Sequence, residues 1–202
     1  MARTSFVHLH NHSQFSLLDG ASKLEELVEQ AARFEMPALA MTDHGNLFGA
    51  IPFFEAAAET GIKPILGCET YIAPGNRTDR TPPGTGRKPY QHLLLLARDE
   101  EGYRNLMRLS TAGFLEGYYY RPRIDREILA RHKDGLIATS TCLGGEIPQL
   151  ILAGRRADAE RVACEYRDLF GAENFYLEIQ DQGIAEERAV NEVLVRPARQ
   201  VR

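Results

Sequence analysis

His8-Leu9-His10-Asn11-His12-Ser13 carries three histidines at strict two-residue spacing. In extended backbone, residues two apart share a face, so the spacing predicts three imidazoles pointing into one space, with Leu9 and Asn11 pointing away. A small domain has little structural use for three adjacent rings that are neutral or half charged. A metal ion has a direct use for them, because imidazole is the commonest metal-ligating side chain. The chain has six histidines, so half of them fall in this stretch.

Outward from it, short β-rich runs alternate with amphipathic stretches. Strands are predicted at 6–10, 38–41, 64–69, 93–97, 136–140 and 175–179. Ser22-Lys23-Leu24-Glu25 reads as a capping box. The helix it opens carries Leu24, Leu27, Val28, Ala31 and Ala32 on one face. A second helix, over about 47–60, is expected to bury Ile51, Phe54 and Ala58 and to stop at Gly61. Further helices are expected at 101–109, 126–131 (with His132 at its C-terminus, where positive charge is favourable), 146–153, 157–170 and 185–195.

Such alternation implies a mostly parallel sheet, either doubly wound or closed as a barrel. The chemistry chooses between them. His10 with His12, Asp43 with His44, Glu69 and Cys142 all fall at or just past predicted strand ends, as the mouth of a (β/α) barrel requires. A doubly wound sheet would gather its site at one switch point, usually with a glycine-rich phosphate loop, and none follows the first strand. A barrel is therefore expected. His92 is the misfit, since it precedes the Leu93–Leu96 run and so falls at the wrong end of its strand. Residues 73–89, rich in Gly, Pro, Thr and Arg, read as a long surface loop.

Bulk properties narrow the class. A chain of 202 residues with 44% apolar content suits one large domain with a real core. A net charge of −4 and a pI near 5.9 argue against a broad basic nucleic-acid surface, though not against a site that grips one phosphate through metals. No apolar run has the length of a membrane span and the N-terminus lacks a signal-peptide core, so no membrane partner is expected. Cys68, Cys142 and Cys164 are odd in number and form no CxxC, which points to a reducing cytoplasm rather than a disulfide framework.

The candidate metal ligands are His10, His12, Asp19, His44, Glu69, His92 and Cys142. Nitrogen, carboxylate and thiolate donors together favour Zn²⁺, admit Mn²⁺ or Fe, and disfavour Ca²⁺ and Mg²⁺. Seven candidates are too many for one tetrahedral ion. A carboxylate such as Glu69 can bridge two metals, and pairs about 3.5–4 Å apart are a common device for phosphoester cleavage. Plainer alternatives stand beside these: Asp19-Gly20 as an ordinary turn, and Cys142, like Cys68 and Cys164, as a small hydrophobe. Tyr118-Tyr119-Tyr120-Arg121 could stack on a single-stranded DNA end or simply pack on the barrel. Arg77, Arg80, Arg87 and Lys88 could steer a phosphate backbone.

Several strings in order carry a family resemblance: His8-Leu-His-Asn-His-Ser13, Ala40-Met-Thr-Asp-His-Gly-Asn-Leu-Phe-Gly49, Gly61-Ile-Lys-Pro-Ile-Leu-Gly-Cys-Glu69, Arg121-Pro-Arg-Ile-Asp125 and Thr141-Cys-Leu-Gly-Gly-Glu-Ile-Pro148. Over about the first 195 residues the chain resembles the PHP (polymerase and histidinol phosphatase) domain, in the version found in the alpha subunit of bacterial DNA polymerase III. The resemblance implies a distorted (β/α)₇ TIM-like barrel with two or three divalent metals at its mouth. His10 and His12 would be the first pair of ligands, with His8 supporting them. Asp19 and His44 would serve an outer metal, Glu69 would bridge the other two, and His92 and Cys142 would complete the second.

The resemblance further implies 3′–5′ exonuclease or phosphoesterase chemistry on a DNA 3′ end, with metal-bound hydroxide as nucleophile and no separate side-chain base. The remainder of a polymerase and other replication subunits would be its partners. Other members are non-catalytic scaffolds that dock a proofreading exonuclease, or small-molecule phosphatases of the histidinol-phosphate type. The chain departs from the family pattern at its end, where an Asp-x-His pair after one more strand is expected and 192–202 supplies none. Residues 1–195 are thus expected to form a barrel lacking its last strand, followed by an atypical tail, 196–202, in which Pro197 interrupts the helix.

Overall fold

A run of four leucines, Leu93 to Leu96, suits a strand buried on both faces. In the computed structural model, which describes residues 6–84 and 88–198, it lies within β3 (Gln91–Ala97). Alternation sends Leu93 and Leu95 toward the helices, and Leu94 and Leu96 to the opposite side against Ala40, Ile65 and Ile137. Each such leucine contributes about 1.5–3 kcal/mol relative to exposure, so this run anchors both cores.

The sheet has seven strands. β1 (Ala38–Met41) pairs in parallel with the first half of β2 (Lys63–Ile72), and β3 lies antiparallel to β2. β4 (Tyr118–Tyr119) and β5 (Arg121–Ile124) form an antiparallel pair, with β5 parallel to the end of β2. β6 (Leu136–Thr139) is antiparallel to β3, and β7 (Phe175–Tyr176) is parallel to β6. The helices are α1 (Leu24–Arg33), α2 (Ala50–Thr60), α3 (Glu100–Leu115), α4 (Arg126–Arg131), α5 (Glu146–Leu152), α6 (Arg156–Phe170) and α7 (Ala185–Ala198). α1 and α2 cover β1 through Leu24, Val28, Leu39, Met41 and Phe53, while Leu106, Leu109, Leu129, Val162 and Tyr166 build the larger core from the later helices.

This is the expected distorted α/β barrel, but its sheet is evenly mixed rather than mostly parallel, with three of the six strand pairings antiparallel. β3 runs against its neighbours, so its first residues, not its last, lie at the mouth beside Glu69, and the His92 misfit disappears. The strand predicted at 6–10 does not join the ladder; a looser segment, 7–12, stands in its place. It is extended along β1, where His8 O and Asn11 O accept from Ala40 N (3.0 Å) and Thr42 N (2.9 Å). Its His10 meets Glu178, just past β7, so the two ends of the sheet approach through side chains.

Other local expectations are corrected. The capping box does not form: Ser22 O accepts from Gln14 N (2.8 Å), α1 starts after Lys23 with no side-chain cap, and Gln14 Oε1 accepts from Leu24 N (3.2 Å) instead. α2 starts at Ala50 and buries Ala50, Phe53 and Ala57, leaving Ile51 and Phe54 62% and 52% exposed. Its nearly continuous apolar sequence gave no unique face. Gly61 does end it, at φ 75°. β2 continues three residues past Glu69, the β4–β5 pair turns at Tyr120 (φ 61°), and α3 runs on to Leu115. α7 continues to Ala198, so Pro197 does not stop it at Val195. Arg87 and the tail residues 199–202 lie outside the described residues.

Candidate metal centre

Three backbone devices converge on Glu69. The His44 turn lies alongside β2, with Glu69 N donating to Asp43 O (3.1 Å) and Gly45 N donating to Glu69 O (2.9 Å). His92 pairs across the β2–β3 ladder with Tyr71, which shares a strand face with Glu69. Cys142 follows β6 beyond Thr141, which holds φ 56°, a left-handed conformation costly for a β-branched residue and characteristic of functional sites. Asp43 is fully buried and accepts from Ser13 N (2.6 Å), Ser13 Oγ (2.7 Å) and Ser16 Oγ (2.7 Å), which locks the turn between His12 and Asp19.

The Glu69 carboxylate has no solvent exposure. Around Oε1 stand His92 Nδ1 at 2.8 Å, Thr141 Oγ1 at 2.9 Å, Cys142 Sγ at 3.2 Å and His10 Nε2 at 3.5 Å. Around Oε2 stand His44 Nδ1 at 2.6 Å and His12 Nε2 at 3.6 Å. The far nitrogen of His44, Nε2, meets the exposed Asp19 carboxylate at 3.1 Å. The His12 and His44 rings stack at 4.0 Å. All seven residues singled out from the sequence are thus brought together. His8 is not among them: it is exposed and packs edge-on against Phe6 at 4.8 Å.

Two groups, His10–His12–Glu69 and His44–Glu69–His92, have potential ligand atoms all within 4.8 Å of one another. The arrangement fits cations better than it fits a plain hydrogen-bond network. His44 Nδ1 and Glu69 Oε2 are buried and close, yet neither makes a hydrogen bond, because their 2.6 Å approach is poorly directed. A buried polar atom left unsatisfied costs about 1–3 kcal/mol. A divalent cation among these donors would supply the missing partner, and the mixed nitrogen, oxygen and sulfur set suits borderline metals.

The electrostatics follow the same geometry. Burial alone would raise the Glu69 pKa, but His10, His44 and His92 hold it far below the carboxylate range. Burial lowers His10, but the Glu178 and Glu69 carboxylates outweigh it and raise the pKa to about 9. Burial and the charges of His44 and His10 push His12 down to about 4. Burial and the Glu69 charge push the Cys142 thiol up to about 12.

Glu178 and Asp43 are the residues whose roles sequence reasoning missed. Glu178 Oε1 lies 2.6 Å from His10 Nδ1 and accepts from Gln180 Nε2 at 2.6 Å, and Thr139 Oγ1 donates to its other oxygen. It thereby orients His10 with Nε2 toward Glu69. The signal was present, a lone carboxylate at the end of an apolar strand, as for Glu69. Asp43, beside His44, pins the Ser13–Ser16 turn. His132 does cap α4.

Comparison with known proteins agrees with this picture. The PHP domain pattern matches residues 8–182. The chain is 52% identical over 198 residues to the DNA polymerase III subunit alpha of Treponema pallidum, covering 98% of this chain and 17% of that protein. It is 51% identical over 195 residues to that of Deinococcus radiodurans, covering 94% and 14%. It is likewise 51% identical over 200 residues to that of Thermus aquaticus, covering 98% and 16%. The chain therefore spans only between 14% and 17% of the length of these relatives. Among solved structures, an amidohydrolase from Chromobacterium violaceum superposes with a TM-score of 0.51 at 16% identity, over 95% of this chain and 84% of that one, a likeness of fold. Fold and site define an α/β barrel with a histidine–carboxylate–thiol centre at its mouth. The chain belongs to the PHP domain family. No helix among the described residues is long and apolar enough to cross a membrane.

Proposed function

We propose that residues 1–195 form the metal-dependent hydrolase portion at the head of a replicative DNA polymerase alpha subunit, and that this portion cleaves phosphodiester bonds at a DNA 3′ end. The observation carrying the proposal is the unexposed Glu69 carboxylate ringed by His10, His12, His44, His92 and Cys142. His10 and His12 with Glu69 would hold one cation, Glu69 with His92 and Cys142 a second, and His44 with Asp19 a third. Zn²⁺ is the favoured metal, with Mn²⁺ or Fe as alternatives. Divalent cations bound there would supply a water of pKa near about 7 and offset charge on the attacked phosphate. The chain's own part is to hold the carboxylate ionised and to orient His10 through Glu178. DNA, the rest of the polymerase and other replication subunits in the cytoplasm would be its partners.

The test is trimming of a 5′-labelled single-stranded oligonucleotide by the protein loaded with Zn²⁺ or Mn²⁺. His12→Ala should abolish trimming. Equal trimming by that variant, in preparations free of other nucleases, would refute the proposal. Stoichiometric metal without any trimming would favour a scaffold.

A further inference from the structure

We propose that Arg121, Lys88 and the Tyr71 hydroxyl form a phosphate-binding subsite on the rim of the metal centre, which takes the phosphodiester group of a single-stranded DNA end. The inference rests on the hydrolase assignment and adds the residues that would hold the substrate. Tyr71 follows Glu69 by two residues on β2, so it shares that face. Its ring stacks on His44 at 6.2 Å and stands edge-on to His92 at 5.2 Å. Gly45, at φ +64°, makes this placement firm: a Cβ there would come within 2.8 Å of the Tyr71 ring and 2.9 Å of Pro122. The ring and the β5 strand that carries Arg121 are therefore packed directly against the His44 turn.

The polar groups on this wall have few partners among the described residues. The Arg121 guanidinium lies 5.9 Å from the Tyr71 ring centroid, and its hydrogen bond is a long one, 3.4 Å, to Tyr120 O. The Lys88 ammonium lies 5.9 Å over the Tyr90 ring, which stacks on His92 at 6.1 Å and meets Tyr71 at 4.9 Å. Neither cation has a carboxylate within ion-pair distance among the described residues, and the Tyr71 hydroxyl makes no hydrogen bond among them.

The neighbouring arginines are committed elsewhere. Arg77 pairs with Glu116 and Asp125. Arg123 gives its donors to four carbonyls, those of Gly117, Pro89, Arg77 and Asp79. The carboxylates Glu69, Glu178 and Asp19 face histidines. An incoming phosphate therefore finds, next to the cluster, two cations with no carboxylate partner among the described residues and a tyrosine hydroxyl with no hydrogen bond among them. Charge-assisted bonds of this kind are roughly twice as strong as neutral ones. In a chain of net charge −4, such a local patch decides where an anion can settle.

The experiment measures binding of a 5′-fluorescein single-stranded oligonucleotide to the full chain by anisotropy, with metal content determined on the same samples. Arg121→Ala should weaken binding about tenfold, Arg121→Lys less, and Tyr71→Phe several-fold, with metal content unchanged. In trimming assays the same variants should raise KM while leaving kcat close to that of the parent. Unaltered affinity in both Arg121→Ala and Tyr71→Phe would overturn the subsite. So would weakened binding that merely accompanies loss of metal in both variants. Absence of trimming by the parent protein would sink the hydrolase assignment alone, because the binding arm does not depend on cleavage.

Discussion

Glu69 is a buried charge whose surroundings were built to keep it charged. An unpaired carboxylate in that position would be prohibitive, and the histidines on both of its oxygens offset the cost. Glu178 repeats the logic one step outward. Carboxylates that accept from the second nitrogen of a ligating histidine fix its ring and raise its basicity, and their loss typically lowers metal affinity 10–100-fold, roughly. Glu178→Ala should do the same here, read by competition with a chelator of known affinity. An unchanged affinity would mean that Thr139 and Gln180 hold His10 unaided. Because Asp19 is 62% exposed at its side chain, its variant Asp19→Ala should cost metal at the His44 position far more than it costs stability.

Among the elements, β2 carries the most consequence. Its inward positions are Gly67, Glu69 and Tyr71, and the space facing Gly67 is already filled. A Cβ at 67 would lie 2.7 Å from Leu95 O and from Leu96 Cδ2, so Gly67→Ala should lower stability by about 1–3 kcal/mol in urea unfolding, as overpacking does. Gly75→Ala, where a Cβ meets nothing within 4 Å, is the control and should be near neutral. The sequence revealed elements wherever periodicity was strong: β1, α4 and α6 fall almost where alternation and amphipathicity put them. It misled where composition blurred the pattern. The alanine-rich α2 has apolar residues nearly all round, and the capping signature at Ser22 was overridden by pairing of that residue's backbone with the Ser13–Gln14 turn. The seven site residues could be read because metal-ligating types are rare and were placed at strand ends. Glu178 carried the same strand-end signal, but its role, like that of Asp43, depends on contacts 168 and about 30 residues away in sequence, which no local pattern encodes.

For the molecule entire, metal and fold should be linked. A ligand that binds only the native state at 1,000 times its Kd adds about 4 kcal/mol. Metal removal should therefore lower Tm. The size of that drop should depend on pH with a definite sign. In the metal-free protein the raised pKa of His10, about 9 against 6.5, stabilises fully below 6.5 and fades as pH rises through about 9. Over the same interval protons stop competing for the His10 nitrogen, so metal binds more tightly. The Tm difference between loaded and metal-free protein should thus widen from pH 6.5 to 9. The lowered pKa of His12, about 4, acts below this window and does not obscure it. A difference that narrows over the interval would contradict the linkage.

The reversal of β3 has a consequence for how such a protein can vary. Because β2 leaves and β3 returns at the same end of the sheet, the connection between Ile72 and Gln91 begins and ends beside the metal centre, where a helical crossover would have carried the chain to the other end. Arg123 fastens both of its ends, donating to the carbonyls of Arg77, Asp79 and Pro89. Changes of length or charge in this connection would thus alter the surroundings of the centre, while every ladder pairing stayed where it was.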